Sequence, residues 1–254
     1  MELHEAHAEK PGFLPRRAFA PKAMHLPAGA RPNTAHDSRS RGFAPEGDAR
    51  WAFLRDRLAS VLAIVPLGVW TFAHLWHNLS AFQSPEAWQN AVTGYVHPFA
   101  EAVTGVVVLL PLALHALWGL RRLASSRPNN LSNRYYGNLK YLLQRASAVG
   151  VLLFLGAHLW LAFLRPRLTQ GHPEAFADIA HEMHFHAPTL VVYVLGTLGV
   201  SYHLANGAHT FCMSWGIVSS RAALRRLEWI AILLFVVLLT MSWGAVYALW
   251  AAGL

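Results

Sequence analysis

Apolar residues run along this chain in five long stretches that charged residues avoid, at roughly 58 to 80, 98 to 120, 142 to 164, 188 to 212 and 227 to 251. A helix crosses the hydrocarbon core of a bilayer with about 20 mostly apolar residues at about 1.5 Å rise each. Each stretch meets that length, so the pattern predicts five transmembrane helices and an all-α integral membrane bundle over residues 51 to 254. The first 50 residues, rich in Pro, Ala, Arg and His, contain no apolar run that would serve as a secretory signal core. They are expected to form a flexible extension, open to contact with a soluble partner or lipid headgroups.

Composition supports this reading, with 54% of residues hydrophobic and 13% charged. Loop charge then sets the direction, since Lys and Arg resist translocation. Arg50, Arg55, Arg57, Arg121, Arg122, Arg127, Arg134, Lys140, Arg145, Arg221, Arg225 and Arg226 flank one side of the predicted bundle, and only Arg165 and Arg167 the other. A bias of twelve against two puts the N-terminus in the cytoplasm and the C-terminus outside. The net charge of +8 follows from this asymmetry and suits anionic lipid. No nucleic-acid module accompanies it, so neither DNA nor RNA is expected as a partner.

The candidate chemistry is histidine chemistry. His74, His115, His158 and His203 each stand within a different apolar stretch. In the outward-running helices, His74 lies seventeen residues past Arg57 and His158 thirteen past Arg145, so both fall in the outer half, roughly 20 to 25 Å along. In the inward-running helices, His115 lies seventeen past Pro98 and His203 fifteen past Pro188, so both fall in the inner half. The pairs His74/His158 and His115/His203 are thus matched in depth, as two bis-histidine haem b sites require, with the irons very roughly half of the about 30 Å core apart. A lone intramembrane histidine often only bonds a neighbouring helix. Four singletons matched in depth are functional candidates, because ionisable groups at membrane depth are costly. The small residues Ala73, Gly156, Ala157 and Gly119 would admit a flat macrocycle near the backbone, and they equally suit close helix packing. A single cysteine, Cys212, and the absence of Cys-x-x-Cys-His rule out covalent haem attachment.

Other histidines compete less well. His77 follows His74 by three on nearly the same face but sits nearer the interface, and His209 follows His203 by six and points away from it. His97 and His172 occupy outer connections. The His181, His184 and His186 cluster has spacing that a metal could use, although a solvated loop or short surface helix is the simpler expectation.

The order of motifs resembles the single-polypeptide, five-helix, dihaem cytochrome b subunit of succinate dehydrogenases and fumarate reductases. The resemblance covers residues 51 to 254. It rests on Arg57-Leu58-Ala59-Ser60 and Pro66-Leu67-Gly68 to Ala73-His74-Leu75, Leu110-Pro111-Leu112 to His115-Ala116, Leu143-Gln144-Arg145 to His158-Leu159-Trp160, and His203-Leu204-Ala205-Asn206-Gly207 to Trp215-Gly216. It implies a distal haem b on His74 and His158 and a proximal one on His115 and His203, agreeing with the depth arithmetic. Arg57 and Arg145 become candidates for haem propionate contacts. The implied partners are an FAD flavoprotein and an iron-sulfur subunit on the cytoplasmic side, in a complex that can assemble further. The chain would anchor them in the bacterial inner membrane and exchange electrons with quinone, from succinate to menaquinone, the alternative being quinol:fumarate reduction.

Quinone chemistry needs a proton-exchanging group, for which Glu101 near the outer end of the second stretch is the candidate, with Glu86 and His97 as rivals. Where some dihaem fumarate reductases carry a glutamate two residues before the fourth ligand, this chain has Ser201, which counts against that proton route here. Two other classes remain open. A hydrogenase or formate dehydrogenase cytochrome b would also bind two haems, and a proton-coupled transporter would bind none and show internal repeats. The bc-type pattern of two ligands about fourteen residues apart on one helix is absent from all five stretches.

Overall fold

The computed structural model describes residues 46–94, 98–126 and 132–253, so the expected extension up to residue 45, together with His97 and Arg127, lies outside the described residues. Among the described residues, five helices are long and apolar enough to cross a membrane: α1 (Arg57–Phe82), α2 (Ala102–Ala124), α3 (Tyr136–Thr169), α5 (Ala187–Ser214) and α6 (Arg221–Ala252). They coincide with the five apolar stretches, and no strand occurs among the described residues. The chain is therefore an all-α, multi-pass membrane protein. The described backbone is already helical over Glu46–Leu62, which leads into the first span.

Large apolar side chains lie open along the spans, with Leu153 at 71%, Trp229 at 72% and Leu233 at 64% exposure. In water such a surface would drive association, whereas lipid tails cover it at no cost. Within the bundle, α5 packs along both α3 and α6, and α1 packs against α2 and α6. A Cβ at Gly199 would meet Val151 at 3.6 Å and one at Gly68 would meet Leu204 at 3.4 Å, so these glycines set how closely α3 and α1 approach α5.

Alternation of the spans gathers Arg57, Arg121, Arg122, Lys140, Arg145, Arg221, Arg225 and Arg226 at one end of the bundle, called here the basic end. The opposite end is closed by a cap. It consists of a helical turn at Pro85–Trp88, N-capped by the Ser84 hydroxyl accepting from the Ala87 N–H at 3.1 Å, and of α4 (Phe176–Phe185). Trp88, Phe176 and Met183 of these pieces are buried with Phe154, Tyr193 and Leu249 of the spans. Gln89 ties the two pieces together by donating to the Glu174 carbonyl at 3.0 Å and accepting from the Phe176 N–H at 2.8 Å.

The spans are not regular throughout. π-helical turns occur at Ala63–Gly68, around Pro66, at Gly105–Leu109 and at Leu159–Leu164. Pro66 lacks an N–H donor, which explains the first. All three lie on helices that carry one of the four singleton histidines, between six and eleven residues ahead of His74, six to ten ahead of His115, and directly after His158, in keeping with the frequency of such turns near functional positions.

Candidate cofactor-binding site

The four histidines meet in the two pairs that their depths predicted. The rings of His74 and His158 have centroids 5.9 Å apart at an interplanar angle of 70°, near the cap. Those of His115 and His203 are 6.2 Å apart at 69°, toward the basic end. Two imidazoles bound to opposite sides of one metal ion by bonds of about 2 Å, each centroid about 1 Å beyond its nitrogen, would have centroids about 6 Å apart. His77 is on the exposed side of α1, so of the two neighbouring candidates it is His74 that faces α3.

Each ring is held by partners the sequence did not disclose. At the cap-end pair, His158 Nδ1 lies 3.1 Å from the Tyr193 hydroxyl, and the Phe154 ring stacks on the His158 ring at 5.5 Å and 22°. Trp70 stacks on His74 at 4.6 Å and 9°. Asn78, one helical turn on, donates to the His74 carbonyl at 2.9 Å and accepts from the Trp88 indole N–H at 3.1 Å, so the cap is wired to the His74 turn. Toward the basic end, His203 Nδ1 lies 3.2 Å from both the Ser147 hydroxyl and the Gln144 amide nitrogen. Gln144 is itself placed by donating to the His203 carbonyl at 3.2 Å and accepting from Asn206 at 2.7 Å. His115 lies close to the backbone of Ala59 on α1.

With Nδ1 occupied, His158 and His203 each keep Nε2 for a metal, the arrangement in which an outer hydrogen bond fixes tautomer and ring orientation. Two further observations fit a bulky anionic cofactor. Arg145, its guanidinium 3.5 Å from the Tyr141 ring centroid, has a buried Nε with no hydrogen-bond partner. A buried donor left unpaired costs about 1–3 kcal/mol, which an anion bound beside it would offset. Gly119 and Gly156 are exposed, and a Cβ at either would meet no atom within 4 Å, so the backbone of the helices of His115 and His158 lies open to a bulky group there. The residues present thus suit haem at both levels.

The remaining candidates fall elsewhere. Arg57 donates to the Ser214 carbonyl and lies 4.8 Å from the Phe53 ring and 5.4 Å from the Trp215 ring, and these contacts clasp α1 to the end of α5 using one of its five N–H donors. Glu101 belongs to the helix Pro98–Thr104, and its side chain lies outside the described part. Ser201 is fully buried and donates to the Thr197 carbonyl at 2.8 Å. His181 and His184 lie on α4, with His186 capping its end. His184 stacks on Trp250 and its Nδ1 lies 3.0 Å from the Trp250 carbonyl, while His186 pairs with Thr189 and Glu182. Among the described residues no three His, Cys, Asp or Glu side chains converge as a metal site. His209 points away from His203, as its spacing required, and joins Lys140 on Glu228 at 3.0 and 2.7 Å, with Tyr136 donating to the other carboxylate oxygen. This cluster joins α3, α5 and α6.

The cap also holds an unusual carboxylate. Glu174 is 7% exposed, and burial, reinforced by nearby Asp178 and opposed by Arg167, pushes its carboxyl up to about 8. Glu86 is its opposite, exposed and held below the usual range by hydrogen bonds from its own backbone N–H and from Ser84.

No protein-family model matches the chain. The succinate dehydrogenase cytochrome b558 subunit of Bacillus subtilis (strain 168) is 27% identical to it over 193 residues, which cover 76% of this chain and 94% of that protein. The similarity thus extends along nearly the whole of that cytochrome subunit.

Proposed function

We propose that the chain is the cytochrome b membrane anchor of a succinate dehydrogenase, carrying electrons between an iron-sulfur subunit and quinone. The observation that carries this reading is the pairing of four intramembrane histidines at two levels with ring separations of 5.9 and 6.2 Å. The similarity to the Bacillus cytochrome b558 subunit supports the same assignment. In this reading the basic end is cytoplasmic and receives the iron-sulfur subunit, which carries the FAD flavoprotein, while the cap faces outward. The electron acceptor is menaquinone, and fumarate reduction is the same path run backwards.

Two haem b groups, one per histidine pair, would supply one-electron transfer when bound. The chain's own residues then have distinct tasks. His74 and His158 at the cap end, and His115 and His203 toward the basic end, offer the axial nitrogens. Tyr193 and Ser147 orient two of these rings by accepting from Nδ1–H. Arg145, with its unpaired buried Nε, is placed to meet a propionate, and Arg57 has donors left for the same purpose. Glu101 exchanges protons with quinone at the outer level. An open cleft of about 520 Å³ between Pro85–Gln89, α4 and Ala252–Gly253 is within the about 300–1,000 Å³ range of small-molecule sites.

A pyridine haemochrome assay combined with a potentiometric optical titration of the purified complex tests the reading, with two b haems per chain at distinct potentials as the expected result. A complex without haem overturns it in favour of a transporter. Tyr193→Phe gives a finer check. Removing the acceptor from His158 Nδ1–H lowers the basicity of that ring, which disfavours the oxidised iron, so the cap-end haem should titrate at a higher potential with its content unchanged. An unaltered titration would remove Tyr193 from the site.

A further inference from the structure

A seam of hydrogen-bonding side chains runs between α3 and α5 from the basic end to the His115/His203 level. At its mouth Glu228 of α6 takes Tyr136 on one carboxylate oxygen at 2.7 Å, and Lys140 and His209 on the other at 2.7 and 3.0 Å. Deeper in, Asn206 holds Gln144, and Gln144 and Ser147 reach His203 Nδ1. Polar side chains at membrane depth are costly and usually functional. His209 is 7% exposed, and its Nε2 is the nitrogen that faces Glu228. An ionised carboxylate only accepts, so Nε2 carries the proton of the neutral ring. Nδ1 is then the free basic nitrogen, buried without a hydrogen-bond partner. Asn206 Oδ1, one turn away on the same face of α5, is also buried without one. A proton on Nδ1 would turn it into a donor beside an acceptor that has none, and the imidazolium so formed would pair with the Glu228 carboxylate.

We propose that His209 takes up a proton from solvent at the basic end when the basic-end haem is reduced, so that the potential of this haem depends on pH. The assignment rests on the haem-binding function above. One electron, supplied by the iron-sulfur subunit, lowers the charge at the His115/His203 level by one. An N–H bond forms at His209 Nδ1 as an O–H bond of a hydronium ion breaks. The way in passes Glu228 and Lys140, whose side chains are 27% and 17% exposed, and reoxidation returns the proton by the same route. His209 lies six residues from His203, about 9 Å along the helix. At about 10 Å and an effective dielectric constant of about 20, one unit of charge changes the proton affinity of the ring roughly tenfold.

The groups around His209 are Glu228 from α6, Lys140 and Tyr136 from α3, and, along α5 itself, Tyr202 two turns back and Cys212 one turn on. Arg225 precedes Glu228 by three residues on α6 and is exposed, and Arg57 of α1 is engaged at the Ser214 carbonyl. Glu228 favours the imidazolium and Lys140 opposes it, so the two offset one another and the charge added at the haem level tips the balance. With the ring protonated in the reduced form and neutral in the oxidised one, reduction is easier at low pH. The potential should therefore fall as pH rises through the range in which histidines titrate. A tenfold difference in proton affinity corresponds to a total fall of about 59 mV for a one-electron couple.

The test is a series of potentiometric optical titrations of the intact complex across the acid-to-alkaline range, with proton uptake on reduction followed by a pH-indicator dye. The basic-end haem is the component that His203→Ala removes. Its potential should fall with pH, accompanied by proton uptake. His209→Gln, whose amide can still donate to Glu228 but takes up no proton, should flatten the fall and abolish the uptake, with haem content unchanged. Lys140→Gln, which leaves His209 in place, should move the fall to higher pH by removing a neighbouring positive charge. A flat potential in the unsubstituted complex overturns the proposal, as does a fall that persists in His209→Gln, which would give the proton to a haem propionate. An unmoved fall in Lys140→Gln does so even where His209→Gln fails to assemble. A complex without haem would instead remove the function on which the proposal rests.

Discussion

Replacing His203 by alanine should leave a complex with one b haem per chain, the missing one being that of the basic end, and His74→Ala should leave one with only the basic-end haem. The expectation follows from the pairing, since each of the four histidine rings faces one other of the four, at 5.9 or 6.2 Å. An alanine removes one axial nitrogen and leaves the other pair's hydrogen bonds to Ser147 and Gln144, or to Tyr193, untouched. Haem content by pyridine haemochrome should fall by half in either variant, and the potentiometric curve should lose one of its two components, a different one in each. Retention of both haems in both variants would remove these histidines as ligands.

Gly196→Ala should damage the cap-end site from a distance. A Cβ on this residue of α5 would sit 2.2–2.3 Å from the ring of Phe154 and 2.7 Å from its Cβ. These are atoms near the base of a buried side chain, which cannot swing away as the tip of a flexible one would. Phe154 stacks on His158 and meets Tyr193 edge-on with centroids 5.4 Å apart, so the displacement is passed to the ligand ring. Overpacking of this kind typically costs about 1–3 kcal/mol. The variant complex should lose thermal stability and lose the cap-end haem before the other, read as haem content after graded heating. An unchanged melting curve with full haem would mean that the helices separate there without penalty.

The spans and the pairing of histidines were legible because both depend on quantities a sequence carries directly: runs of apolar residues and counts of residues from a charged boundary. His74 could be preferred over His77 by depth, and the structure separates them by face. The partners of the rings were not legible. Tyr193 is 35 residues from His158 and Ser147 is 56 from His203, and an ordinary Tyr or Ser in an apolar helix carries no mark of what it faces. Glu174 was overlooked for a related reason. It lies in a short connection that reads as solvated, and only the folding of α4 and the Gln89 bridge over that connection bury it. The π-helical turns had a visible cause: the first contains Pro66, and those at Gly105–Leu109 and Leu159–Leu164 are followed two residues on by Pro111 and Pro166, whose missing N–H leaves the carbonyls of Val107 and Ala162 without their i+4 donor.

The hydrogen bonds on the Nδ1 sides of His158 and His203 have a consequence for speed. A ring whose position is set by Tyr193, or by Ser147 and Gln144 on another helix, is held by the protein as well as by whatever it ligates. When a metal bound there changes charge by one, such a ligand has little room to shift. In the function proposed above, the nuclear rearrangement accompanying each electron transfer would stay small, leaving the distance between the two levels as the term that governs the rate.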